Sequence, residues 1–188
     1  MKFFAIVIGS IIWHFRKAAR ILVGSYCNWR YNSRISCGAN VNFLGYSRFY
    51  GCDKIQIGNN VTVGENAFVK GEGGLTMGDN IHIARNLTLY THNHNFSGSA
   101  LPYDNTFIFK PVTIGDNVWI GINVTILPGT VIGEGAIIGA GTVVSGQVEP
   151  LAIIGSAKNR TLSYRDKKHY DNCIKEGRFG GINGVPLH

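Results

Sequence analysis

Cysteine is scarce in this 188-residue chain, and the four present (Cys27, Cys37, Cys52 and Cys173) show no CxxC spacing. That pattern excludes a small disulfide-stapled scaffold, and the thiols read as reduced side chains of a cytoplasmic protein. A membrane-crossing run is also lacking. The apolar stretch Phe3 to Trp13 (FFAIVIGSIIW) has 11 residues, against about 20 for a spanning helix. No small-residue cleavage site follows it at a secretory distance. Helix-turn-helix, zinc-finger and aromatic RNA-binding signatures are missing, so nucleic acid is a poor partner despite the net charge of +7.

What the chain does have is a period. Through VTIGDNVWIGINVTILPGTVIGEGAIIGAGTVV an aliphatic residue returns every sixth position, at Ile114, Ile120, Ile126, Ile132, Ile138 and Val144. Gly115, Gly121, Gly133 and Gly139 follow four of them. A hexapeptide period marks a parallel β-helix. Three hexads make one coil of about 18 residues, and stacked coils bond strand to strand at roughly 4.8 Å. The first and fifth positions of each hexad face inward and the sixth faces outward. The second position is read as a tight bend, where glycine avoids the Cβ penalty. The same phase runs through Ile57, Val63 and Val69, and again through Met77, Ile83 and Leu89. It slips by two residues at GEGGLT (71–76), read as a bulge or corner loop. It breaks a second time at 91–111, read as an inserted loop.

The expected organisation is an N-terminal helix and lead-in over 1–55, a β-helix domain over 56–162, and a tail with a short helix over 163–188. Basic residues gather outside the repeat, at Lys2, Arg16, Lys17 and Arg20 at one end and at Lys158, Arg160, Arg165 and Lys167 at the other. A basic end suits a phosphate-bearing cofactor, and a basic start suits an anionic membrane surface. Residues 3–23 therefore have two readings: a helix capping the open end of the solenoid, or one in peripheral contact with a membrane.

The candidate chemistry lies in Thr91-His92-Asn93-His94, at the edge of the inserted loop. Continuing the hexad phase from Leu89 puts His92 near a corner and His94 at an outward position. A neutral imidazole accepts a proton near pH 7, which suits a general base. Interruptions of a rigid scaffold commonly carry function. Trp119 also falls at an outward position. Phe96, Tyr103, Phe107 and Phe109 supply aromatic rings on the loop, suited to stacking on a sugar.

These residues resemble the hexapeptide-repeat acyltransferases, in particular the bacterial sugar O-acetyltransferases. NLTLYTHNHN (86–95) and KPVTIGDNVWIGINVTILPGTVIGEGAIIGAGTVV (110–144) are similar to the galactoside and maltose enzymes. THNH and the tail RDKKHYDNCIKEGRFGG are closer to enzymes of capsule and O-antigen biosynthesis. The resemblance implies a left-handed parallel β-helix, a homotrimer with sites between subunits, and acetyl-CoA as co-substrate. Ungapped, the family's catalytic histidine falls on His94, with His92 the runner-up. The resemblance runs coenzyme A past Trp119, Ile122, Ala140, Ser145 and Gly146, with Lys158 and Arg160 as phosphate partners. A Gly at 146 departs from the family's usual lysine. Lys70 stands where the galactoside enzymes place an acceptor-binding asparagine, and Tyr103 is a second acceptor contact. No metal is expected. His82, His92 and His94 lack the pair five apart that solenoid carbonic anhydrases use for zinc.

The implied function is O-acetylation of a sugar hydroxyl in cell-surface polysaccharide biosynthesis, on a saccharide acceptor that is lipid-linked, polymeric or free. It would take place in the cytoplasm, with the inner face of the membrane as a possible site. N-acetylation of an amino sugar, or a non-catalytic β-helix for assembly, are the alternatives.

Overall fold

The computed structural model describes residues 2–97, 99, 103–156 and 167–176. Residues 2–156 of this set belong to one compact unit and the tail to another.

The aliphatic repeat winds as a parallel β-helix. The strands of successive coils pair in three parallel sheets. The first sheet holds Ser36–Cys37, Ile55–Ile57, Leu75–Met77, Val112–Ile114, Val131–Ile132 and Gln147–Val148. The second holds Asn42–Phe43, Thr62–Val63, His82–Ile83, Trp119–Ile120, Ile137–Ile138 and Ile153–Ile154. The third holds Arg48–Tyr50, Phe68–Lys70, Thr88–Tyr90, Thr125–Ile126 and Val143–Val144. Residues 36–50, read from the sequence as a lead-in, are therefore a complete first coil. Its inward positions are Val41, Phe43 and Phe49, and the two aromatics weaken the aliphatic period that marks the later coils.

Every first-position residue from Ile114 to Ile138 is at most 1% exposed, and the fifth positions Val118, Val124, Thr130 and Ala136 are likewise buried. Each coil thus contributes one layer to a continuous core. The glycines at the second position serve a different purpose from the one expected. The left-handed backbone falls at the fourth position, at Asn117 and Asn123 (both φ 57°) and at Gly135 (φ 70°). The second-position glycines are there for proximity: a Cβ on Gly115 would stand 2.7 Å from the Glu134 nitrogen, and one on Gly133 2.5 Å from that of Pro150. The next coil passes too close for a side chain.

Asparagine at the fourth position does double work, since it tolerates positive φ and bonds to its own kind. Asn40 donates to Asn60 (3.0 Å), Asn60 to Asn80 (3.1 Å) and Asn80 to Asn117 (3.2 Å). A second ladder runs from Asn66 to Asn86 (2.9 Å) and on to Asn123 (2.7 Å).

Helix α1 spans Lys2–Asn32. Its last turns cap the first coil. Cys27 and Tyr31 are buried, and the Tyr31 ring lies 5.4 Å from Phe43 and 4.9 Å from Phe49. The Asn28 amide donates to the Phe43 carbonyl (3.1 Å) and accepts from its N–H (2.8 Å), so a side chain supplies what a further coil would have supplied. In the tail, helix α2 spans Lys167–Lys175 and carries a Lys167–Asp171 ion pair at 2.8 Å.

Candidate active site

The corner between the third and first sheets carries the extra residues. In the second coil it is the Gly71–Gly74 turn, closed by Gly74 N–H on the Gly71 carbonyl at 2.9 Å. In the third coil it is the insertion, which leaves the solenoid at Thr91. There the strand His92–His94 pairs antiparallel with Phe107–Phe109. The hexad phase therefore ends at Thr91, and the two histidines sit on a hairpin rather than on a flat face of the coil. Two positions apart, they lie on the same face of that strand, and depth along the hairpin separates them: His92, at its base, is buried and His94, nearer its tip, is exposed.

Thr91 is the pivot. It is fully buried, its N–H and hydroxyl both donate to the Lys70 carbonyl (2.9 and 2.7 Å), and its hydroxyl accepts from Gly73 N–H (2.7 Å). On the other strand Lys110 N–H donates to the Thr91 carbonyl at 2.8 Å. Farther out, Asn95 N–H bonds the Thr106 carbonyl (3.0 Å), and Asp104 accepts from the Thr106 N–H and hydroxyl.

His92 faces back into the Gly71–Gly74 corner. Its Nδ1 stands 3.7 Å from Glu72 Oε2, and neither atom has a hydrogen-bond partner. The ring is bracketed by Phe107 (5.1 Å, edge-on) and Phe109 (5.6 Å). The other Glu72 oxygen accepts from Lys70 Nζ at 2.8 Å. Burial pushes the Glu72 carboxyl up, but the Lys70 hydrogen bond, the backbone and the Lys70 and His92 charges outweigh it, leaving the group below the usual carboxylate range. A depressed carboxylate stabilises the fold above its unfolded value near 4.5, and that contribution is lost as pH falls through the lower folded value. Glu72→Gln is thus expected to be less stable than the parent at neutral pH. The difference should vanish in acid, which thermal unfolding across the acid range checks.

His94 lies on the same face of the hairpin as His92, nearer the tip. Its ring stacks on Tyr103 with centroids 3.9 Å apart and planes 18° off parallel, and Phe107 is at 4.7 Å. An aromatic stripe continues inward along the third sheet, from Tyr90 to Phe68 (5.8 Å) and Tyr50 (5.7 Å). Lys70 is drawn into this stripe, its ammonium 4.3 Å from the Tyr50 ring centroid.

The other sequence-derived candidates divide between two places. Ser145 and Gly146 are exposed on the same corner as the hairpin, and Val131 N–H bonds the Gly146 carbonyl at 2.9 Å. Trp119, 54% exposed, stands on the second sheet between His82 and Ile137, on the side of the coil opposite that corner. Ile122 and Ala140 are exposed at the end of the second sheet, where Gly141 N–H donates to the Ile122 carbonyl at 2.8 Å. Within one protomer, then, Trp119 and His94 are not brought together. Lys158 and Arg160 lie outside the described residues. Among the described residues no group of three His, Cys, Asp or Glu is placed to hold a metal ion.

Glu72 was missed in the sequence. It lies 20 positions before His92, and only the coil repeat sets the two side by side. The register slip at GEGGLT was the available signal.

Comparison with known proteins agrees with the solenoid fold. The model of the family "Bacterial transferase hexapeptide (six repeats)" matches residues 111–146, and that of "Hexapeptide repeat of succinyl-transferase" matches residues 54–91. The chain is thus similar to hexapeptide-repeat transferases over both repeat-bearing stretches. Over 50 residues it is 50% identical to an Escherichia coli dTDP-4-amino-4,6-dideoxy-D-glucose acyltransferase, a match covering 26% of each chain. The chain thus spans about a quarter of the length of that curated relative. Among solved structures, AntD, an N-acyltransferase from Bacillus cereus in complex with dTDP and 3-hydroxybutyryl-CoA, is 27% identical with a TM-score of 0.59, over 77% of this chain and 81% of that one. A hexapeptide-repeat acetyltransferase from Vibrio cholerae shares the fold at 23% identity and a TM-score of 0.55, over 77% of this chain and 82% of that one.

Proposed function

We propose that the protein transfers an acetyl group from acetyl-CoA to a saccharide hydroxyl, with His94 as general base. The observation that carries this is the hairpin: a rigid corner of the solenoid presents an exposed imidazole between a stacked tyrosine and an aromatic stripe. A sugar hydroxyl is a weak nucleophile and needs its proton removed as it attacks the thioester carbonyl. The hydroxyl oxygen forms the new ester bond, the thioester C–S bond breaks, His94 takes the hydroxyl proton and coenzyme A leaves as the thiol. Tyr103 and Lys70 line the acceptor side. Trp119, Ile122, Ala140, Ser145 and Gly146 would line the donor groove, with Lys158 and Arg160 as phosphate partners. His92, held between Phe107, Phe109 and Glu72, is a positioning residue for the strand that carries His94. This reading assigns the reaction to cell-surface polysaccharide biosynthesis, supported by the resemblance of THNH and the tail to enzymes of capsule and O-antigen assembly.

The relatives favour a second reading. Both the Escherichia coli enzyme and AntD are named for acyl transfer involving amino sugars or N-acylation. An amine acceptor would attack unaided and lose its proton afterwards. Incubation with acetyl-CoA and matched hydroxyl or amino acceptors separates the two, because mild alkali strips an ester and spares an amide.

Trp119, on the side of the coil away from the hairpin, and His94 belong to one site only if a second subunit supplies one of them, and this supports a homotrimer. Mixing His94→Ala and Trp119→Ala subunits is therefore expected to recover activity that neither variant has alone. A mixture as inactive as its components would overturn the shared site.

A further inference from the structure

Helix α1 changes surroundings along its length. Its last turns cap the first coil, whereas Ile6, Val7, Ile8, Ile11, Ile12 and Trp13 are between 39% and 70% exposed. At 3.6 residues per turn these six point to every side of the helix. A helix that is apolar all round has no face to leave in water and is stable when immersed in apolar material. The next turns are cationic. Arg16 and Lys17 follow, with Lys17 Nζ 5.3 Å from the Trp13 ring centroid, and Arg20 lies 4.0 Å from Glu65. The first acidic residue of the chain is Asp53, so seven basic residues and no acid precede it. No helix among the described residues is long and apolar enough to cross a membrane.

We propose that residues 6–17 of α1 dock the protein on an anionic lipid bilayer. Residues 6–13 rise about 12 Å, which fits within one leaflet of a hydrocarbon core of about 30 Å. Trp13 lies at the headgroup level, where indole rings concentrate, and Arg16 and Lys17 face the lipid phosphates. Charge selects this occupant over a second copy of the chain: helices packed side by side would bring cationic turns together, whereas an anionic headgroup layer neutralises them. The docking is independent of the proposed acyl transfer.

Flotation of the full chain with vesicles tests it, using phosphatidylcholine alone and phosphatidylcholine with about 30% phosphatidylglycerol. The protein is expected to float with the anionic vesicles and far less with the neutral ones. Ile11→Glu combined with Ile12→Glu is expected to abolish flotation. Arg16→Gln combined with Lys17→Gln is expected to weaken it by about 30-fold. None of these four side chains packs on the solenoid, so an unchanged melting temperature is expected in both variants. The proposal is overturned if the parent stays unbound with anionic vesicles, or if the isoleucine variant floats as the parent does. It is equally overturned if that variant, without vesicles, forms a smaller assembly in sedimentation equilibrium, because a second copy would then cover the helix.

Discussion

His94→Ala is expected to lower kcat for the proposed acetyl transfer by about 10²- to 10⁴-fold, the range that general-base catalysis contributes. The side chain is exposed, and among the described residues its ring packs on the hairpin's own aromatics, Tyr103 and Phe107. Its loss should therefore leave the melting temperature and acetyl-CoA binding close to those of the parent. Steady-state kinetics with saturating acetyl-CoA, alongside a thermal melt and a titration of the donor, measures all three. The control is His92→Ala. That substitution removes a buried ring from between Phe107 and Phe109 and takes the charge partner from Glu72. It is expected to lower the melting temperature as well as the rate. A His94→Ala protein turning over at the parental rate would transfer the base role to His92, whose carboxylate neighbour then becomes the orienting group of a His–Glu pair.

Gly73→Ala is expected to lower kcat by about 10²-fold without touching any reacting group, the cost typical of a misplacement of about 1 Å. A Cβ at residue 73 would stand 2.1 Å from the Thr91 carbonyl oxygen and 3.0 Å from the Thr91 hydroxyl. Both are backbone-tied: the carbonyl is held by Lys110 N–H, and the hydroxyl bonds the Lys70 carbonyl and Gly73 itself. The base of the hairpin has to move, and His92 and His94 move with it. The matched control is Gly155→Ala, whose Cβ meets nothing within 4 Å and should be silent in activity. Parental activity in Gly73→Ala would show that the corner is softer than these bonds imply.

Much of the scaffold was legible because its rule is local. An inward aliphatic every sixth residue states where the core lies, and Ile57 to Leu89 and Ile114 to Val144 all fell inward as the phase requires. The same rule missed the first coil, where Phe43 and Phe49 fill inward positions to meet Tyr31 of a helix that lies far from the repeat in sequence. It also misread the second-position glycines. Their constraint is the next coil's backbone, about 18 residues on, and no local pattern carries that distance. His94 was placed outward by extending the hexad phase past Leu89. The phase stops at Thr91, and His94 is exposed because it lies nearer the tip of the hairpin, on the same face as the buried His92.

What the sequence by itself determined is the solenoid, its period and the location of its two interruptions, since each depends on neighbours a few residues apart. The tertiary structure alone decided what the interruptions build. The coil repeat sets Glu72 beside His92 across 20 positions, Thr91 locks one corner to the next, and Trp119 ends up on the side of the triangle away from His94. Those relations depend on how coils stack, and stacking is a property of the closed core rather than of any single hexad.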